Sequence, residues 1–210
     1  MSLLVHLPLT GDFRNLGLAN FSVLAANTPV RDDGKIGKCY AFSSGNLYYI
    51  EGKLRDSMNN DAWSACAWIY PTVKASSGSN TWTVCMNSST ASDMRFALCL
   101  HGNYLAVRIA GTSYDTTIAY SLNTWYHICA VYDNRKLKIY VNGILNTTVD
   151  QTVEPTEATY FSIGRRIPGY GYFSGRVNDV RLYSHALTDK EVEEISKALI
   201  LHYKLDDVSI

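Results

Sequence analysis

The sequence predicts an all-β fold: two antiparallel sheets packed as a sandwich, with one short C-terminal helix. Short β-rich runs alternate with clusters of Gly, Asn, Asp and Ser along the chain, which is the pattern of sandwiches and barrels. Hydrophobic residues make up 47% of the 210 positions, with 15 tyrosines and 4 tryptophans, enough β-favouring bulk to fill the space between two sheets. One segment alone carries a convincing helical period. All-β sandwiches often reach this length as one unit, so residues 1–210 read as a single domain.

Taken in order, strands are expected at Leu3–Leu9, Lys38–Phe42, Leu47–Ile50, Trp63–Tyr70, Trp82–Met86, Arg95–Leu100, Tyr104–Ile109, Thr124–Tyr132, Lys136–Val141, Tyr160–Ile163 and Gly175–Tyr183. In Trp63–Tyr70 the alternation sends Trp63, Ala65, Ala67 and Ile69 to one face and Ser64, Cys66, Trp68 and Tyr70 to the other. Both sets are largely apolar, so this strand is central and covered on both sides. His101-Gly102-Asn103 links Arg95–Leu100 to Tyr104–Ile109. Asn142-Gly143 links Lys136–Val141 to Ile144–Leu145 and supplies the positive φ angles of a type I′ turn. Thr188-Asp189-Lys190-Glu191 is a capping box, followed by Val192, Ile195 and Leu199 at helical spacing, with Glu193, Glu194 and Lys197 facing water. Ile200–Leu205 echoes Leu4–Leu9, and an acid follows each, Asp206 and Asp12. Residues 199–210 therefore read as a terminal strand of this domain or as the start of a further module.

Charge and cysteine usage narrow the function. Lys plus Arg and Asp plus Glu number 19 each, so no long-range field draws in nucleic acid or acidic membranes. No apolar run reaches the about 18 residues that a bilayer span needs, and membrane insertion is not expected. The first ten residues lack the basic and apolar regions of an export signal, which suggests folding in a reducing cytoplasm without a signal peptide. Cys39, Cys66, Cys85, Cys99 and Cys129 lie in apolar runs without C-x-x-C spacing and read as reduced core residues. Only Cys39 has a basic neighbour, Lys38. His127 reads as a packed strand residue and His101 as a turn residue, and no H-x-H or H-E-x-x-H spacing occurs.

Four stretches carry a resemblance. They are Gly37–Phe42, Trp63–Pro71, the pair Asn123–Tyr132 and Lys136–Gly143, and the closing run Ile163–Arg165 with Phe173–Val192. Together they resemble the laminin G-like members of the concanavalin A-like lectin and glucanase superfamily. The resemblance implies a jelly-roll sandwich with two curved sheets. The ending Leu201-His202-Tyr203-Lys204-Leu205-Asp206-Asp207 is similar to modules of phage tail, fibre and head-decoration proteins. On that resemblance the chain would belong to a virion or a bacterial surface.

Glucanases of this superfamily present two carboxylates along one strand as E-x-D-x-x-E. No such run exists here, and Glu51, Glu154, Glu157, Glu191, Glu193 and Glu194 read as loop or exposed-helix residues. The chain is therefore expected not to be an enzyme and to require no cofactor beyond the structural Ca²⁺ that many relatives hold where the first loop meets the last strand. The matching positions here are Asp12, Asn15 and Asp179. Lectin-like sandwiches stack exposed aromatics on sugar rings and satisfy hydroxyls with nearby polar groups. Candidates of that kind are Trp82, Tyr114 with Asp115, and Tyr170 and Tyr172 with Arg165 and Arg166 just upstream. The expected function is a recognition or adhesion module for glycans or cell-surface polysaccharide. The second reading is a structural decoration or spacer domain contacting other virion or surface subunits, and a hydrolase ranks last.

Overall fold

A computed structural model describes residues 2–19, 21–35, 37–54, 61–87, 94–152, 158–167 and 169–206. The strands, in chain order, are β1 (Leu3–Leu7), β2 (Phe21–Asn27), β3 (Val30–Asp33), β4 (Lys38–Phe42), β5 (Tyr49–Leu54), β6 (Ala62–Pro71), β7 (Asn80–Asn87) and β8 (Met94–His101). They continue with β9 (Tyr104–Ile109), β10 (Thr112–Ala119), β11 (Tyr126–Asp133), β12 (Lys136–Val141), β13 (Ile144–Asp150), β14 (Tyr160–Ile163) and β15 (Gly175–Tyr183), and one helix, α1 (Asp189–Asp206), follows.

The strands form two sheets. The eight-stranded sheet runs β13-β12-β11-β6-β15-β4-β3, with β1 also paired to β15, and the seven-stranded sheet runs β10-β9-β8-β7-β14-β5-β2. All of these pairings are antiparallel. This is the predicted sandwich, and its core lies between the two inner faces. Trp63, Ala65, Ala67 and Ile69 of β6 point into that core, while Cys66 belongs to a separate cluster on the outer face. The Trp63 ring stacks 4.7 Å from Phe96 of the opposite sheet and 5.5 Å from Tyr132 beside it. Aromatic bulk thus binds the layers together.

Local sequence fixes the register. Val141 pairs with Ile144, and Asn142 (φ 53) and Gly143 (φ 83) make the two-residue turn between them. His101 pairs with Tyr104 across the β8–β9 turn. At the helix, the Glu191 N–H bonds the Thr188 hydroxyl at 3.2 Å and the Thr188 N–H returns to the Glu191 carboxylate at 2.7 Å. The capping box starts α1 as expected. Val192 and Ile195 then pack on Cys66, Cys129, Tyr140 and Tyr183, covering part of the outer face of the larger sheet.

Three expectations need correction. Residues 199–206 continue α1 instead of forming a terminal strand; residues 207–210 lie outside the described residues. Leu47 adopts φ 55 in a turn, so the strand expected at Leu47–Ile50 starts at Tyr49 and runs to Leu54. Thr112–Ala119, absent from the expected strands, is an edge strand whose Ser, Thr and Asp residues mask the alternation.

Candidate functional site

Strand β7 meets β8 with a bulge. Trp82 pairs with Cys99 and Val84 with Leu98, which leaves Thr83 as an extra residue whose hydroxyl donates to the Leu98 carbonyl at 2.5 Å. The bulge lets Val84 point into the core while Trp82 turns to the outer face of the seven-stranded sheet. There Cys85, Ala97, Cys99 and Ala106 form a floor of small buried side chains around the indole. By strand register, Asn80, His101, Arg108, Ser113 and Asp115 share that face on one flank, and Ser162, Glu51 and Tyr49 share it on the other.

The segment after β14 folds onto this face. The Trp82 N–H donates to the Gly171 carbonyl at 2.9 Å, and residues 82 and 172 form a parallel bridge. The Arg166 N–H donates to the Tyr170 carbonyl at 3.2 Å, and the Gly169 N–H returns to the Arg166 carbonyl at 2.7 Å, closing a tight turn. Gly171 has φ +64, and a Cβ there would overlap the Trp82 indole nitrogen. Only glycine seats this turn so close to the ring. The Arg166 guanidinium lies 5.6 Å from the centre of the Trp82 ring and 5.4 Å from that of Tyr170, and Arg108 lies 5.8 Å from Trp82. Arg165 turns the other way, pairing with Glu51 at 2.5 Å, donating to the Tyr172 hydroxyl at 3.3 Å and stacking 3.6 Å over Tyr49.

The structure therefore gathers Trp82, Asp115, Arg165, Arg166, Tyr170 and Tyr172 on one face and leaves Tyr114 out. Tyr114 points inward from β10, packs on the core and donates to Gln151 at 3.2 Å; as its strand neighbour, Asp115 must point the other way. Trp82 also departs from expectation. It is only 4% exposed and serves as a floor beneath two guanidinium groups, while Tyr170, 45% exposed, is the ring that meets solvent. Asp115 sits against His101 Nδ1 at 2.8 and 3.1 Å, beside a cleft of about 260 Å³ lined also by Gly78 and Tyr104. His101 is thus the last residue of β8 and a partner of Asp115 as well as a turn flank. Pro168, the first residue of the predicted tyrosine loop, lies outside the described residues.

Four residues of this face escaped the sequence reading: Tyr49, Glu51, Arg108 and His101. Glu51 lies inside strand β5 and not in a loop, on the same face as Trp82. Its carboxylate is occupied by Arg165. Among the described strand residues of the face the other acid is Asp115, five strands away, or about 24 Å at the usual strand spacing. Paired carboxylates that cleave glycosidic bonds stand about 5 to 10 Å apart, so these two cannot act together. Glu154 and Glu157 lie outside the described residues.

The residues matched to a calcium site do not assemble an oxygen cage. Asn15 spends its amide on the loop: its Oδ1 accepts from the His6 and Gly17 N–H groups at 2.7 and 2.9 Å, and its Nδ2 donates to the Leu4 and Ala19 carbonyls. Asp179 is buried between His6 and Arg181, and Asp12 accepts from the Arg14 N–H at 3.0 Å. A cation would have to displace Arg181 from Asp179, and the donor set does not fit Ca²⁺. The Cys39 thiol is pushed up to about 12 by burial, with the Asp32 charge adding to it, so Lys38 does not activate it. His127 is packed as expected, tilted 5.3 Å from the Trp68 ring. Clefts of about 270 and 360 Å³ lie on the outer side of the larger sheet, one lined by Lys136, Lys138 and Leu187 and the other by Tyr183, Glu191 and Ile195, and the second is a seam where α1 rests on its sheet.

Solved structures share this fold. Domain 4 of AbnA, an extracellular GH43 arabinanase from Geobacillus stearothermophilus solved with arabinotriose, superposes with a TM-score of 0.66 at 20% identity, covering 92% of this chain and 98% of that one. The binding domain of Paraclostridial Mosquitocidal Protein 1 gives 0.72 at 18% identity over 94% of this chain. The ligand-binding domain of botulinum neurotoxin serotype D, solved with N-acetylneuraminic acid, gives 0.69 at 15% over 95%. The chain spans about half of each toxin domain, 52% in both cases. A search of curated protein sequences finds no match. Residues 44–193, well over half of the chain, match the profile of the concanavalin A-like lectin/glucanase superfamily, and the chain belongs to that superfamily.

Proposed function

We propose that this chain is a non-catalytic glycan-recognition module, serving a virion or cell-surface assembly, and that it binds sugar on the outer face of the seven-stranded sheet around Tyr170. One observation carries the reading: Tyr170 is held half-exposed beside Trp82 and Arg166 by a glycine-dependent turn. A flat apolar ring with adjacent donors suits the stacking of a sugar face and the satisfaction of its hydroxyls. The arabinotriose held by the AbnA domain supports the same reading from a related fold. A glycan array followed by titration tests it. Binding to a saccharide, weakened about tenfold or more by Tyr170→Ala, is the expected outcome, and an array with no bound saccharide overturns the reading.

A specific observation also favours the structural reading. Leu16, Leu18 and Ile144 are 56%, 79% and 73% exposed, more apolar surface than a solitary loop or hairpin tip needs. If the array is blank and the chain forms a stable oligomer in which these residues are protected, the module is a spacer.

A further inference from the structure

Two arginines near Trp82 make no ion pair among the described residues. On this face Glu51 is taken by Arg165, and Asp115 is engaged by His101. Arg108 and Arg166 meet no carboxylate among the described residues. Arg108 donates to the Ser113 hydroxyl at 3.1 Å and is otherwise placed over the indole, while Arg166 rests between the Trp82 and Tyr170 rings. Their Nε atoms are buried without an acceptor among the described residues. Each guanidinium group lies within 6 Å of the Trp82 ring centre, so the two stand less than 12 Å apart, within the span of one oligosaccharide.

Neither cation is ion-paired among the described residues, and burying their Nε–H groups without acceptors there adds a cost. An anion between them relieves both. The planar guanidinium fork matches the planar geometry of a carboxylate and the spaced oxygens of a sulfate. The arrangement is also built and not incidental. Ser113 that receives Arg108 is itself bonded to Asn80 at 3.1 Å, and Arg166 is anchored by its backbone to the Gly169–Tyr170 turn.

We infer that the ligand of this face is an acidic saccharide, whose carboxylate or sulfate sits between Arg108 and Arg166 while its ring lies against Tyr170. This rests on the glycan-binding reading and names the ligand class. A neutral saccharide would offer its hydroxyls as acceptors but leave both positive charges unpaired.

Calorimetry with the whole chain tests it using trigalacturonic acid and its methyl ester, in which methylation removes the carboxylate charges from the same sugar backbone, with a sulfated disaccharide and neutral arabinotriose alongside. The expected result is that an acidic sugar, carboxylated or sulfated, binds at least about tenfold more tightly than its uncharged counterpart, and that the gap shrinks as salt rises. Arg108→Gln and Arg166→Gln should each remove most of that preference while the melting temperature stays near that of the parent. The parent chain's comparison and salt series need no variant, so a poorly folding substitution does not block the test. Equal binding of charged and uncharged sugars, lost in Tyr170→Ala, overturns the acidic assignment and leaves the glycan reading standing. No binding by any sugar on the array or in the titrations overturns both.

Discussion

His6 Nε2 lies 2.8 Å from Asp179 Oδ1, and this contact ties the first strand to the last. Arg181 meets the other oxygen at 3.0 Å, and Asp179, with φ 51, sits at the bulge of β15 with only 4% of its surface exposed. Asn tolerates that backbone, so Asp179→Asn isolates the charge. Removing it strands Arg181 beside an uncharged amide, and unfolding in urea should register a loss of about 3 kcal/mol with the slope unchanged. A loss under about 1 kcal/mol would show that the pair contributes little.

Acid sensitivity follows from the same residue. Burial pushes the Asp179 carboxyl up, but the His6 hydrogen bond and the Arg181 charge outweigh it and hold the group below its ordinary 3.8. The unfolded chain therefore takes up the proton at higher pH than the folded one. The contribution is complete above the ordinary value and drains away as pH falls from there through the folded value. Melting temperature measured from neutral pH downward should show a steep acid limb that flattens in Asp179→Asn. An unchanged acid limb in the variant would place the sensitivity elsewhere.

Asp189 fastens α1 to the larger sheet. The Tyr140 hydroxyl donates to Asp189 Oδ1 at 2.6 Å, and Lys138 Nζ donates to it at 2.9 Å. Tyr140→Phe should cost about 1 kcal/mol, and Asp189→Ala should cost more because two donors lose their acceptor at a helix N-terminus. Thermal melts read both. Equal stability of all three chains would mean that apolar contacts alone hold the helix.

Gly171→Ala pits a side chain against the Trp82 ring. The strained φ and the overlap together predict a loss of about 2 kcal/mol or more, with loss of glycan binding. Gly78→Ala is the control: its φ of +68 is similar, but its Cβ would meet open space. It should cost only the left-handed strain, about 1 kcal/mol, and leave binding intact. Equal effects at the two positions would rule out the packing role of Gly171.

All five cysteines are free and buried. Burial pushes the Cys85 thiol up to about 12, as it does Cys39. A thiol reagent at neutral pH should leave Cys39 and Cys85 unmodified in the native chain and label both once denaturant is added. Rapid native-state labelling of either would reveal local opening of its strand.

The architecture was legible because it rests on local rules. Period-2 alternation in Trp63–Tyr70, the Asn142-Gly143 turn and the Thr188–Glu191 box each encode their own geometry within a few residues. Part of the site was legible for the same reason, since Tyr170, Gly171 and Tyr172 stand together in sequence with Arg165 and Arg166. Glu51 and Arg108 were not, because they reach the site through strand register across residues far apart in the chain. Tyr114 was misjudged once Thr112–Ala119 was missed as a strand, since adjacent strand residues cannot share a face. The C-terminal error had a different cause: Ile200–Leu205 has a strand-like composition, yet it continues a helix already nucleated by a strong cap.

Thr83 makes the proposed binding face depend on a dislocation in the ladder. Were that residue absorbed into a regular ladder, strict alternation would bring Trp82 and Val84 to the same side of β7, so either the indole would be driven inward or the valine stranded outside. Removing the residue outright would instead keep the two on opposite sides, as adjacent strand positions must be, so the face tolerates the loss of Thr83 but not the flattening of the chain around it.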